Sequence, residues 1–566
     1  MTTKHPSPDR GRARLLAGTA ALVLLAAAPL AAQEQGFTLG LDPLVIEIVD
    51  LDVDSDVEGH DVADSARFNE YRDIDGGFNV PRLRLRGHSA DRERLLDFRA
   101  TNLRRDDARY TLRYGVVGSY RFSVDYNKIP HRFGNAGRLL WTRTGPGRYE
   151  LADGVQGALQ TAVQTQFAAN RAGVNFAFLN GLITPYLAAE QDVDIGLVRD
   201  RTAVRYDMGG LGRFKWGLSY QHENRKGTRQ LGTSFGFNNV TELPEPIDYD
   251  TTTSEVAAEW NGTRGGVRFG LNYSEFENHI STLVWDNPWR LTDSTDPSAY
   301  SSPGSGSIGG SSLGMSDLAP DNEAGSAFLA GSYKLGSRWW ANGSATYTNM
   351  TQDDRLLPYT LNSAIVGEDP HTGATFDPTD PANLPVSRFD GEVDVLAVNA
   401  NVGGKLGAGF GLAFRYRYYD YDNQSPRVEF PGYVRFHAVW EEIPRISVPF
   451  AYNRQDLGAE LTWDPTRALA LGLVFNRQSW DREFREIEES DDDTIKLTAD
   501  YRPSMRWGIR GSYELGDRST DAYHVEAQEM GAWWSWQSPS PVSALGTGST
   551  GGSSRGSRRG SRGRRG

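Results

Sequence analysis

The sequence predicts an all-β protein, a large antiparallel transmembrane outer-membrane β-barrel, and three observations carry that prediction. The first is a period of two. Within residues 104–130, Tyr110, Leu112, Tyr114 and Val116 alternate with Arg109, Thr111, Arg113 and Gly115. Past Gly118, Tyr120, Phe122, Val124 and Tyr126 alternate with Arg121, Ser123, Asp125 and Asn127. Such alternation puts apolar side chains on one face of a strand and polar ones on the other. Runs of about ten residues suit tilted strands crossing roughly 25 Å of hydrocarbon. The second observation is composition: 62 Gly, 24 Tyr, 24 Phe and 14 Trp in 566 residues that are only 38% hydrophobic. Weak hydropathy is expected where only alternate residues face lipid. The third is that no apolar run of about twenty residues occurs beyond the N-terminus, which argues against a helical membrane bundle. The polar face carries full charges of both signs, so it must meet water or another polar surface.

The formal charge of −13 is spread along the chain and gives no basic footprint for nucleic acid. Cysteine is absent, so no disulfide, iron–sulfur cluster, thiolate zinc site or covalent haem attachment can be built from this chain.

Residues 1–32 read as a secretory signal peptide: Lys4, Arg10, Arg12 and Arg14 precede the apolar core LLAGTAALVLLAAAPLAA. Residues 33–75 read as an acidic, irregular periplasmic segment. Asp50, Asp52, Asp54 and Asp56 lack the glycine and closing glutamate of an EF-hand loop, which leaves a solvated segment or a contact surface for a basic partner. The barrel is expected over 76–537. Residues 130–190, including GALQTAVQTQFAANRAG, form a long connection that the sequence does not place, with a plug-like and a periplasmic segment both left open.

Further hairpins obey the same grammar. Phe214, Trp216, Leu218 and Tyr220 alternate with Arg213, Lys215, Gly217 and Ser219, and Val267, Phe269, Leu271 and Tyr273 resume beyond a Gly-rich turn. Residues 280–322 and 352–388 are long Ser/Gly/Pro/Asp-rich loops, expected outside the cell, with tight periplasmic turns near Gly118, Gly265, Gly336, Gly404 and Pro465. Trp463, Trp480 and Trp507 are candidates for interfacial aromatic belts. The segments add up to roughly 17 strands, whereas bacterial barrels have even counts. EMGAWWSWQSPS opens like another strand and gives way to a Gly/Ser/Arg tail over 538–566. That tail cannot close a barrel, and the preferred reading is a frame error after about Gln537 that removes the last strands. A genuine basic disordered tail is the other reading.

The early segment also carries unusual blocks in order: FNEYRD with GGF after it, then NLRRDDARY, the paired strands, and DYNKIPHRF, with SYELGDRSTDAY near the end. Together they resemble the MtrB/PioB family of outer-membrane barrels associated with decahaem cytochromes, across most of residues 65–525. The resemblance implies a barrel of about 26 strands. It implies a sheath around a periplasmic decahaem c-type cytochrome that lets electrons cross the outer membrane, in some cases with an extracellular multihaem cytochrome at the mouth. On that reading haem c belongs to the partner, none is bound directly, and the chain is not an enzyme. A stand-alone porin or substrate channel is the alternative.

The residues expected to face the lumen and contact a partner are Arg109, Arg113, Arg121, Asp125, Arg213, Lys215, Arg268, Arg415, Arg417, Lys496, Asp500, Arg506 and Arg510. They would pair with a soluble protein surface or hold water in a pore. No HExxH motif or tight His/Asp set nominates a metal site, and His131 reads as a surface or turn residue. GGLGRF and GTRGGVRFG lack a βαβ context and read as turns rather than phosphate loops. No nucleophile and base are spaced as a catalytic set.

Overall fold

Segments with period-two patterning become strands, and short Gly-containing turns pair each one with the next. The computed structural model describes residues 47–523, apart from 59–65, 72–76, 104, 190–191, 235–239, 295–310 and 436. The expected signal peptide and Gly/Ser/Arg tail lie outside the described residues. Among the described residues seventeen strands form one sheet. They are β1 (Glu47–Glu58), β2 (Gly77–His88), β3 (Arg94–Thr101), β4 (Arg109–Val116), β5 (Tyr120–Arg138) and β6 (Asp192–Leu211). Next come β7 (Phe214–Ser234), β8 (Val240–Asn261), β9 (Gly265–Asn278), β10 (Asn322–Lys334), β11 (Trp339–Arg355) and β12 (Arg388–Gly407). The last are β13 (Phe410–Asn423), β14 (Tyr452–Thr466), β15 (Leu469–Arg482), β16 (Glu489–Ser504) and β17 (Trp507–Thr520). Every strand pairs antiparallel with its neighbour in sequence. Among the described residues β1 pairs only with β2 and β17 only with β16, so the sheet is open at that seam.

The register aligns the apolar residues into continuous rows. Leu112 lies opposite Val124, Val124 opposite Val204, and Val204 opposite Tyr220. On later strands Phe414, Ala459, Phe475, Ile495 and Leu515 form another such row. Leu329, Leu497 and Leu515 on this face are more than half exposed, an arrangement water would penalise and hydrocarbon would not. Along these rows the opposite face carries arginines, aspartates and glutamates, which cannot meet lipid, so the apolar face is the outer one. At the short-turn end the outer face carries Trp463, stacked on Phe410 at 5.3 Å, together with Trp507. Trp480 departs from the expected belt. Its place in β15 alternates with outward Phe475 and Arg477, so it faces inward, where Arg454 and Arg482 lie over its ring at 5.1 and 4.8 Å.

Three further expectations are corrected. The acidic run within 33–75 is not irregular throughout, because residues 47–58 form β1. Its aspartates recur every second residue and align with the arginines of β2: Asp50 opposite Arg86, Asp52 opposite Arg84 and Asp54 opposite Arg82. Opposite charges across strands support the pairing, so the acid run reads as a strand once its partner is known. The connection at 130–190 lies at the long-loop end, not at the short-turn end expected to face the periplasm. β5 runs on to Arg138, and the connection beyond it leaves from the end opposite the tight turn at Gly118. The turn expected near Gly404 lies at Gly407–Gly409, where Ala408 and Gly409 both have positive φ. A Cβ on Gly409 would lie 2.5 Å from the Asp464 carbonyl oxygen, so only glycine fits there.

At the long-loop end, the described residues of 139–189, 279–294, 311–318, 356–387, 424–435 and 437–451 build a cap. Helices α1 (Asp153–Ala169) and α2 (Phe176–Ala189) bury Leu159, Val163 and Val174 with Trp289. A second core gathers Tyr149, Leu283, Trp285, Ile280 and Leu318 around Leu243 of β8. Leu243 alternates with outward Pro244 and shares the inner face with Glu245, so the cap rests on the inner side of the wall. Asn362 ties three connections together: its Oδ1 accepts from the Ser312 and Leu313 amides at 2.9 and 3.0 Å, and its Nδ2 donates to the His437 carbonyl at 3.4 Å.

The two faces predict opposite responses to one change. Leu497→Arg on the outer face should destabilise the membrane-inserted protein by about 2–4 kcal/mol. Thr498→Arg, one residue on and facing inward, should cost under about 1 kcal/mol. Urea unfolding in lipid vesicles measures both.

Candidate functional site

The inner wall is built by strand geometry alone: every second residue of each strand points to it, so its chemistry is set by the polar half of the alternation. Most of the residues expected there are found there. Asp125 accepts from Arg109 at 3.0 Å and from the Thr111 hydroxyl at 2.9 Å. Arg268 reaches Glu255 at 2.6 Å, and Arg415 meets Glu460 at 2.5 Å. Lys496 pairs with Glu514 at 3.0 Å, and Asp500 holds both Arg502 and Arg510 at 2.8 Å. Lys215 lies in register with Glu259, and Arg417 with Asp456, whose carboxylate Arg454 already engages at 3.1 Å. Arg213 and Arg506 are exceptions. They occupy the tight turns before β7 and before β17, so they stand at the rim of the wall rather than on it.

The structure adds wall residues that the sequence pattern did not single out. Arg84, Arg86 and Arg99 converge on Asp97 at 2.9, 3.6 and 2.7 Å. Arg199 and Arg225 share Glu223 at 3.6 and 3.3 Å. Arg205 pairs with Asp207 at 2.9 Å, and Arg229 with Glu245, a buried carboxylate, at 2.8 Å. The arginines of β2 sit in LRLRG, where the alternation is plain but the run is too short to stand out. Apart from Arg229–Glu245, such partly exposed pairs are each worth under about 1 kcal/mol and fix register more than stability. β10–β12 present a different inner face, with Ser326 bonded to Thr348 at 2.8 Å, Asn399 to Ser344 at 3.4 Å and Asn401 to Asn342 at 2.9 Å.

The blocks FNEYRD, NLRRDDARY and DYNKIPHRF meet at the long-loop end of β5. His131 lies within the strand, not in a turn. Its Nε2 is 3.2 Å from Glu70, and its ring stacks on Tyr71 at 4.4 Å and meets Phe133 at 4.2 Å. Lys128 pairs with Asp106 at 2.6 Å. Among the described residues no group of three or more His, Asp or Glu is arranged to hold a metal ion.

In the cap, burial governs the titratable groups. His437 packs edge-on against Trp285 at 5.4 Å, and desolvation pushes its imidazole down to about 4. Burial pushes the Tyr359 hydroxyl up to about 12, within a cluster that includes Trp440 at 5.1 Å. Burial likewise raises Asp286 and Asp317.

An antiparallel sheet with a lipid-compatible outer face, a charged inner face, tight turns at one end and long loops at the other defines an outer-membrane β-barrel protein. Residues 60–537 match the model of the outer membrane beta-barrel porin family MtrB/PioB, and the chain belongs to that family. The outer membrane protein MtrB of Shewanella baltica is 22% identical over 422 residues, covering 74% of this chain and 52% of that protein. The chain therefore spans about half the length of this relative. Solved structures with related outlines include the ferric yersiniabactin receptor FyuA of Yersinia pestis, with 9% identity, 79% of this chain and 60% of that chain covered, and a TM-score of 0.34. The copper transporter OprC has 10% identity, coverages of 84% and 62%, and a TM-score of 0.37. Overlays at these scores carry no functional argument; the family assignment rests on sequence.

The cap should loosen in acid. His437 has a folded value below its ordinary 6.5, so its contribution is fully present above that pH and is lost as pH falls from 6.5 towards 4. Asp286 and Asp317, raised by burial, oppose part of this change. Limited proteolysis within 139–189 should therefore speed up between pH 7 and pH 5, and His437→Gln should flatten that dependence.

Proposed function

We propose that this protein is an outer-membrane sheath that holds a periplasmic multihaem c-type cytochrome and so enables electron transfer across the membrane. The observation that carries the proposal is a meander of 17 strands whose inner face is charged. A barrel of about eight strands is filled by its own side chains, whereas one of 16–18 strands leaves a wide lumen that water or another protein must occupy. The resemblance to decahaem-associated barrels favours a protein occupant over water, and on this reading an extracellular multihaem cytochrome is a second partner. The chain has no cysteine, so covalently attached haem c would belong to the partner. In this arrangement the wall supplies water exclusion and orientation, while the haems set the potentials.

Complex extracted gently from the outer membrane and purified through this chain should contain about ten haems per barrel, in fixed ratio with one cytochrome. A colourless barrel that conducts ions in planar bilayers would overturn the sheath and leave a porin.

A further inference from the structure

The inner wall is not uniform in charge: the arginines of β2 face the aspartates of β1, and Lys215 and Arg229 of β7 face Glu259 and Glu245 of β8, but three arginines on β4–β6 lack an acid of their own. Each carboxylate in register with one of three arginines there is already engaged by others. Asp97 faces Arg113 across β3 and β4, yet it is held by Arg84, Arg86 and Arg99. Asp207 faces Arg121 across β5 and β6, yet it pairs with Arg205. Glu223 faces Arg201 across β6 and β7, yet it is shared by Arg199 and Arg225. Arg113, Arg121 and Arg201 thus keep guanidinium groups with no acid of their own among the described residues, and the Arg201 Nε is buried without a hydrogen-bond partner. The chain as a whole carries −13, so this positive sector runs against its overall charge. Farther round the sheet, β10–β12 offer the uncharged Ser326, Ser344, Asn399 and Asn401 instead.

We infer that the β4–β6 inner wall is the docking face for an acidic surface of the protein held in the lumen, and that it fixes that protein's rotation about the barrel axis. The inference rests on the sheath reading. A guanidinium fork presents parallel donors that suit carboxylates, those of acidic side chains or haem propionates alike. One charged wall and one neutral wall would give a cylinder-shaped guest a preferred azimuth, which a uniform lining cannot do.

The test is haem retained per barrel, measured on the native complex washed at rising NaCl, for the parent and for R113Q/R121Q/R201Q. The triple variant should release the haem protein at about five-fold lower salt, and R113K/R121K/R201K, which keeps the charge but loses the fork, should fall between it and the parent. Identical release curves for parent and Gln variant would overturn the inference. If the Gln variant does not reach the outer membrane, the parent decides: release before about 1 M NaCl, where screening acts over about 3 Å, supports charge-driven docking. Full retention at that salt overturns it. A parent with no haem at any salt would instead defeat the sheath reading. Anion selectivity in planar bilayers, lost in the Gln variant, would then show that the sector meets only small anions.

Discussion

Hydrocarbon cannot hydrogen-bond a peptide group, and that constraint organises this chain. Each spanning strand must give its amides and carbonyls to two neighbours, so 17 strands lie in one meander with every sequential pair hydrogen-bonded. Once the backbone is fixed that way, side chains have two directions, and the period of two decides which solvent each one meets. The apolar row from Leu112 to Tyr220 and the charged row from Arg109 to Asp125 are two sides of one backbone arrangement. A one-residue slip would send every arginine of a strand into lipid, which is why the cross-strand ion pairs act as register marks.

The inner wall then depends on how many charges the alternation delivers. Where acids and bases arrive in balance, as at Lys496–Glu514 and Asp500–Arg510, the wall is self-satisfied. At Arg113 and Arg121 the acid in register is instead engaged by other arginines. The cap closes in over the same inner side at the long-loop end, held by apolar cores around Trp285 and Trp289 and by the amide of Asn362. Charged barrel and apolar cap meet at Glu245 and Leu243, neighbours on the inner face of β8.

Much of this was legible in the sequence because period two is local. The strand pair around Gly118 and the turn at Gly212 could be read directly, and about 17 strands were expected; the loop expected at 280–322 lies partly outside the described residues, and the one at 352–388 begins only after Arg355. Features that depend on a distant partner were not legible. β1 hid in an acidic run because its logic lies in the arginines of β2, about thirty residues on. Trp480 looked like a belt residue because tryptophan is common there, and only its phase within β15 and its two arginine neighbours place it inside. The cap was invisible because Tyr149, Leu243, Trp285 and Asn362 come from four separate segments that share no local pattern. Among the wall residues, the type of charge was readable but the sharing of Asp97 and Glu223 was not, since it is a property of register.

The central claim is that alternate residues of one strand face lipid and a protein-filled lumen, and the absence of native cysteine makes it directly measurable. Single cysteines placed at 121 and 122, 205 and 206, and 496 and 497 would be labelled with a bulky water-soluble maleimide, both in the gently extracted complex and after its bound protein is stripped. The account predicts that 122, 206 and 497 resist label throughout, while 121, 205 and 496 are protected in the complex and become reactive on stripping. Labelling of 122, 206 and 497 as fast as their neighbours would contradict the two-faced wall. Equal labelling of 121, 205 and 496 before and after stripping would contradict a lumen filled by protein.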